Sequence, residues 1–89
     1  MNEKIIRETK IEGDLIYEGK IIFEANLGIV EVLGKIEATE IEVRAGTNLY
    51  CNGNLNCNGY LYCLGNLYCY GDLNCNGSLY CHGYLNCKG

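Results

Sequence analysis

From residue 48 onward, apolar and polar positions keep one six-residue beat: any residue, Leu, Tyr or Asn, Cys, any residue, Gly. The successive phrases are NLYCNG, NLNCNG, YLYCLG, NLYCYG, DLNCNG, SLYCHG and YLNCKG. Leu and Cys stand two apart, so on an extended strand they share one face while the Tyr or Asn between them points the other way. Leu and Cys are commonly buried types, whereas Tyr and Asn can face water. The Gly that follows predicts a corner, where positive φ or a close backbone approach costs it little. Each hexad therefore predicts a short strand plus a bend. Proline is absent, so every residue can donate to a hydrogen-bond ladder.

A longer period lies beneath the first. Residues 48–65 and 66–83 agree at 14 of 18 positions, more than at shifts of one or two hexads. Three hexads per turn predicts an all-β fold: a single-stranded triangular parallel β-helix of about 18 residues per turn, a solenoid. One face then stacks Asn54, Asn56 and Asn58 over Asp72, Asn74 and Asn76. Another stacks Tyr60, Tyr62 and Leu64 over Ser78, Tyr80 and His82. The third carries Tyr50, Tyr68 and Asn86. Rungs about 4.8 Å apart place like residues in register, an arrangement that Asn and aromatic ladders favour. The period itself says nothing of handedness.

The opening half follows the same logic less strictly. Leu15/Tyr17 and Ile21/Phe23 keep the inward phase, and Leu27/Ile29 continues it. Tyr and Phe stand where Cys stands later, so the first rungs are expected to be wider or plugged by rings. Leu27 and Leu49 are not separated by a multiple of six, which requires a phase slip through a bulge or long corner. Ile36/Ala38 and Ile41/Val43 keep period two within that stretch and predict strands. The expected layout is a tail or cap over residues 1–10 and a β-helix over 11–89. Within it, 11–47 are irregular charged rungs and 48–89 the hexads.

At 89 residues the chain is one domain, too small for a large shared core. A solenoid avoids that limit because each rung is buried by its neighbours. Six basic and ten acidic side chains fall in residues 1–47, whereas the hexads carry only Asp72, Lys88 and His82. The net charge of -4 includes no basic patch, so nucleic acid is not an expected partner. No apolar run approaches a membrane span and residues 1–10 lack a signal-peptide pattern, so membrane attachment is not supported and a cytoplasmic location is expected.

Residues 9–25 (TKIEGDLIYEGKIIFEA) and 33–53 (LGKIEATEIEVRAGTNLYCNG) resemble the bactofilins, bacterial cytoskeletal proteins that form polymers. The second stretch has that family's cadence of Gly, strand, Ala, strand, Ala-Gly, strand. The resemblance implies a right-handed triangular β-helix that joins end to end into filaments without nucleotide, with other bactofilin-like proteins as further partners. The chain departs from the family in lacking its long tails and in the regularity of its Cys-Gly repeat.

Self-association is expected on physical grounds as well. A parallel β-helix ends in a bare rung, and proteins protect such edges with charge, bulges or a covering segment. The sequence finishes on a complete hexad, so the last one, Tyr84, Leu85, Asn86, Cys87, Lys88 and Gly89, is expected to be one joining surface. At the other end, a fold-back of residues 1–10 would use Ile5 and Ile6 as its apolar contact. Ile5, Ile6 and Ile11 are the joining candidates there. If that end is capped, the C-terminal ends pair into a dimer; if not, filaments grow.

The cysteines supply the rival reading. Cys51, Cys57 and Cys63 fall in one turn, Cys69, Cys75 and Cys81 in the next, and Cys87 begins a third. Layers of three converging thiols would suit Cu(I), zinc or an iron–sulfur unit, making the chain a metal- or redox-binding thiol module. A strict C-x5-C spacing is also the solenoid's own period, and Cys fills narrow interiors as a small apolar residue, so packing explains them without any cofactor. Disulfides are disfavoured because parallel inward side chains keep the Cβ atoms too far apart.

His82 is the lone histidine and has no nucleophile or pocket predicted beside it, so no catalytic residue is assigned. Hexapeptide-repeat acyltransferases share the period but build clefts from insertions that this repeat lacks. Ice-binding solenoids favour Thr arrays, and here only Thr9, Thr39 and Thr47 occur. Tyr60, Tyr62, Leu64 and Tyr80 form the candidate strip for lateral contact, since Tyr is enriched at interfaces. The expected function is structural and non-enzymatic: self-assembly into a scaffold filament.

Overall fold

The computed structural model describes residues 2–88. They form twelve strands with no helix: β1 (Glu3–Ile6), β2 (Lys10–Ile11), β3 (Leu15–Phe23), β4 (Gly28–Val32), β5 (Ile36–Val43), β6 (Thr47–Cys51), β7 (Leu55–Cys57), β8 (Leu61–Cys63), β9 (Leu67–Cys69), β10 (Leu73–Cys75), β11 (Leu79–Cys81) and β12 (Leu85–Cys87). Every pairing is parallel, and each strand lies over the one that precedes it by a full turn. The result is a three-sided β-solenoid. The first face stacks β1, the second half of β3, the second half of β5, β8 and β11. The next stacks β2, β4, β6, β9 and β12. The last stacks the first halves of β3 and β5 under β7 and β10.

In the hexads the alternation acts as expected. Leu49, Cys51, Leu55, Cys57, Leu61, Cys63, Leu67 and Cys69 are all buried in one continuous core, with Tyr and Asn on the outside. Turn length there is 18 residues, with Leu over Leu and Cys over Cys. The glycine corner works by close approach alone. Among the described residues the repeat glycines keep negative φ, and the positive-φ glycines (Gly13, Gly19, Gly28 and Gly46) all lie in the opening half. A Cβ on Gly77 would stand 2.6 Å from the Gly59 carbonyl oxygen one turn earlier, and one on Gly71 would stand 2.8 Å from that of Gly53. A side chain of any size would push the coils apart.

The opening half reaches the same shape with coils of uneven length, 17 residues from Ile6 to Phe23 and longer after that. The turn from Asp14 to Lys35 takes 21 residues, and by β7 over β5 it has shortened to about 19. The extra residues sit in corners: Glu18 and Gly19 bulge where β3 rounds from the last face to the first, and the register shifts there. The phase slip, expected between Leu27 and Leu49, falls earlier, at the Ala25–Asn26 turn, where Asn26 (φ 61) and Gly28 (φ 77) take left-handed backbone. It changes which residues point inward. Ile29, expected in the inner wall, is 57% exposed, and Val30 and Val32 fill the core instead. Leu27 packs against the core's edge. Thr47, directly over Gly28, is the one buried polar side chain among the described residues. Its hydroxyl donates to the Glu24 carbonyl and accepts the Leu27 N–H at 3.2 Å, satisfying the backbone of the slip.

Two further expectations need correction. Of the segment expected as a tail or cap, the described strands are no covering flap: β1 pairs in register with residues 20–23 of β3, and β2 with β4, so both are rungs. Ile6 therefore lies in the core, 3% exposed, while Ile5 points outward. Rings do plug the first turns, with Phe23 fully buried and Tyr17 packed against the core. On the outside of the first face, Lys20 meets Glu42 at 2.9 Å, Arg44 meets Glu42 at 3.0 Å, and Arg44 meets Glu24 at 3.1 Å.

Candidate functional site: thiol ladders and the terminal coil

Because the inward Cys of each hexad precedes the corner, its thiol reaches the carbonyl oxygens that turn there. The Cys57 thiol donates to the Tyr60 carbonyl at 3.0 Å, and that of Cys63 to Gly65 at 3.3 Å. The Cys69 thiol lies 3.5 Å from each of the carbonyls of Gly53, Gly71 and Asp72, so corner oxygens of two coils surround it. Cys51 has the same cradle from Gly34, Gly53 and Asn54. The three thiols of one coil thus point into three different corners. Among the described residues no group of three or more Cys, His, Asp and Glu comes together, and the expected converging layers do not form.

The thiols meet along the axis instead. Cys51, Cys69 and Cys87 stack on one face, Cys57 and Cys75 on another, and Cys63 and Cys81 on the remaining one. Burial pushes the Cys51 and Cys63 thiols up to about 12 and that of Cys57 to about 11, with the thiol stacked above each adding to the shift. Cys69 moves in the same direction for the same reasons. None of the seven cysteines is in a disulfide, and exposure rises along the stack: Cys51 to Cys69 are buried, Cys75 and Cys81 half-buried, Cys87 exposed.

That gradient marks the terminal coil. β10, β11 and β12 are each paired on one side only among the described residues. Leu79 is 43% exposed and Leu85 41%, whereas their counterparts one turn below, Leu61 and Leu67, are at 1% and 0%. Tyr84, Asn86, Cys87 and Lys88 are exposed as well, while Gly89 lies outside the described residues. The opposite edge is chemically different. Lys4 takes the inward register position over Ile21 and is exposed, with Glu3 and Lys10 nearby on the outermost strands. Inward-pointing charge is a recognised guard against edge pairing. Of the joining candidates at that end, Ile6 is in the core, Ile11 half-buried against it, and Ile5 on the outer surface.

The candidate lateral strip is dispersed. Tyr62 and Tyr80 stack with ring centroids 4.9 Å apart, and the Tyr80 hydroxyl sits 3.3 Å from His82 Nδ1. Tyr60 is drawn to a corner, where its hydroxyl accepts from Lys20 Nζ at 3.5 Å, and Leu64 is half-buried. A second ring stack, Tyr50 on Tyr68 at 4.5 Å, lies on another face. On the third, Asn74 Nδ2 donates to Asn56 Oδ1 at 2.9 Å.

One device escaped the sequence reading. At the first position of a hexad, the Oδ1 of Asn48, Asn54 and Asn66 accepts the backbone N–H of Asn66, Asp72 and Tyr84 one turn later, and Asp14 does the same for Lys35. Its signal was present in the recurrence of Asn and Asp at that position. A cleft of about 650 Å³ opens beside the β3 bulge, lined by Ile16, Tyr17, Glu18, Thr39, Glu40 and Asn58 among others, without Cys or His. No helix of the described residues is long and apolar enough to cross a membrane. Comparison of the chain with protein-family models, curated proteins and solved structures yields no match.

Proposed function

We propose that the chain is a non-enzymatic structural protein that associates through the ends of its solenoid to form a filament, with a second copy of itself as partner. One observation carries this reading: a terminal coil with only Asp72 and Lys88 as full charges, whose inward Leu79 and Leu85 are over 40% exposed, beside strands β10 and β11 that are paired on one side only among the described residues. Stacking another coil there returns both leucines to the environment of Leu61 and Leu67. Exposed, regular edges of this kind are sites of association unless guarded. The guarded opposite edge, with Glu3, Lys4 and Lys10, makes its joint the weaker and more ionic of the two. The bactofilin-like stretches at 9–25 and 33–53 point the same way, and seven thiols outside any disulfide suit the reducing cytoplasm. His82, held by Tyr80, supplies no catalytic set.

The test is negative-stain electron microscopy of the untagged chain, reduced, free of metal and nucleotide. Filaments one solenoid wide are expected, and the Leu79→Glu and Leu85→Glu variants should keep their β circular dichroism yet remain as discrete particles. Discrete particles from the unaltered chain would sink the proposal.

A further inference from the structure

The register that stacks Leu over Leu also stacks Cys over Cys, and the spacing that results has chemical content. Register places Cys75 over Cys57, Cys81 over Cys63, and Cys87 over Cys69, which itself lies over Cys51. Parallel rungs are about 4.8 Å apart. That gap is far too wide for a sulfur–sulfur bond of about 2.05 Å. A metal–thiolate bond is about 2.3 Å, so two of them in line span about 4.6 Å. One ion fits between two stacked sulfurs.

Direction agrees with distance. The thiols of stacked cysteines turn into the same corner, one coil above the other. Sulfur holds its two substituents at a sharp bend, so the next bond from each sulfur runs along the axis toward its neighbour. This is the geometry of a linear two-coordinate thiolate complex, the preference of soft monovalent d10 ions and not of tetrahedral zinc. Corner carbonyls accept from the thiols in the metal-free chain: the Cys75 thiol is 3.4 Å from the Gly59 oxygen and 3.2 Å from that of Ser78, and Cys87 is 3.4 Å from Gly71. The upper member of each pair is half-buried or exposed, which opens a path from the terminal coil.

We propose that the axial cysteine pairs Cys57/Cys75, Cys63/Cys81 and Cys69/Cys87 each hold one soft monovalent ion of the Cu(I) or Ag(I) class, bridging consecutive coils. Each binding event replaces two thiol protons, released to water, with two metal–sulfur bonds, and no oxidant or reductant takes part. The ladder of three has a reserve pair, Cys51/Cys69, one coil deeper. The proposal is independent of filament formation, since the pairs lie within one chain.

Silver(I) alone is the probe, added to the reduced full-length chain and read by native mass spectrometry. Three ions per chain are expected, with two protons released per ion. Double substitutions separate axial pairs from layers. Cys57→Ser with Cys75→Ser should remove one ion, because both belong to one pair; Cys57→Ser with Cys63→Ser should remove two. Cys87→Ser should leave three, the ion moving to Cys51/Cys69. The opposite pattern, two ions lost on one face and one lost from one coil, would overturn the axial assignment, as would absence of stoichiometric binding. Should a serine variant lose its β circular dichroism, the alanine equivalents repeat the count. X-ray absorption of the silver-loaded native chain needs no variant: two sulfur neighbours in line support the proposal, and three or more refute it.

Discussion

Two halves of this molecule build the same three-sided coil from different chemistry. Residues 48–88 do it with one phrase, in which Leu and Cys fill the interior, glycine lets coils touch, and Asn side chains catch stray N–H groups at corners. Residues 2–47 use Ile, Val and Phe inside, ion pairs outside, and left-handed residues to absorb turns of up to 21 residues. The comparison teaches that stacking is the conserved physical requirement and coil length is negotiable. A parallel ladder needs register only between neighbours, so coil length can vary from 17 residues between Ile6 and Phe23 to 21 between Lys10 and Glu31 before it settles at 18 in the hexads.

The sharpest way to break the equivalence is alkali. The thiols of Cys51, Cys57 and Cys63 are raised to about 11–12 from an ordinary value of 9.0. Below pH 9 both folded and unfolded chains hold these protons and stability is unaffected. Above it the unfolded chain ionises first and binds fewer protons, so stability falls as pH rises toward 12. Each thiol costs about 1.4 kcal/mol per pH unit in that window, about 4 kcal/mol for the three together. The expected outcome is unfolding of the hexads near pH 10–11, followed by circular dichroism and hydrogen exchange. A chain with Val at all three positions should hold to higher pH. Equal alkaline midpoints for the two proteins would disprove the mechanism.

Glycine separates the halves next. Gly77→Ala sets a methyl group 2.6 Å from the Gly59 carbonyl, and backbone there cannot retreat without opening the coil. A loss of about 2–3 kcal/mol is expected, at the upper end of overpacking costs. Gly13→Ala meets nothing within 4 Å and suffers only its φ of +102°. That strain is worth roughly 1–2 kcal/mol. Urea midpoints of the two variants should fall in that order, and the reverse order would show that the conformation, not the close approach, is what selects glycine in the repeat.

Thr47 tests the seam where the two styles meet. Replacing it with Val keeps shape and burial but leaves the Leu27 N–H and the Glu24 carbonyl without the partner each has now. An unsatisfied buried donor costs about 1–3 kcal/mol. The expected readout is a lower urea midpoint, with faster hydrogen exchange confined to residues 24–30.

The same seam shows where sequence reasoning reached its limit. The hexads were readable because side-chain periodicity and turn periodicity coincide, so Leu55, Cys57 and their register followed from spacing alone. Ile29 was misplaced because its phase depends on Asn26 and Gly28 adopting left-handed backbone, which apolar spacing does not encode. Residues 3–6 were read as a flap because a single charged rung has no repeat beside it, and Lys4 at an inward position masks the alternation. The cysteines were legible as inward and stacked from coil to coil, but their separation within a coil depends on each thiol turning toward the carbonyls of its own corner, which spacing does not encode.

The smallest expected effect lies on the outer surface of the opening half. The Lys20 ammonium beside Glu42 holds its carboxylate below the ordinary value, with Arg44 adding to the shift, while Glu42 in turn raises Lys20. A depressed carboxylate contributes stability above its unfolded value of about 4.3 and loses that contribution as pH falls through the folded value below it. Lys20 contributes below its unfolded value and loses that contribution only when strong alkali deprotonates it. Both side chains are part-exposed, so solvent screening limits the pair to about 1 kcal/mol or less. Glu42→Gln should therefore lower the urea midpoint slightly at pH 7 and not at pH 2, and the difference should shrink in 1 M salt. A loss that persists at pH 2 would mean that Glu42 acts through packing over Ile22 and not through its charge.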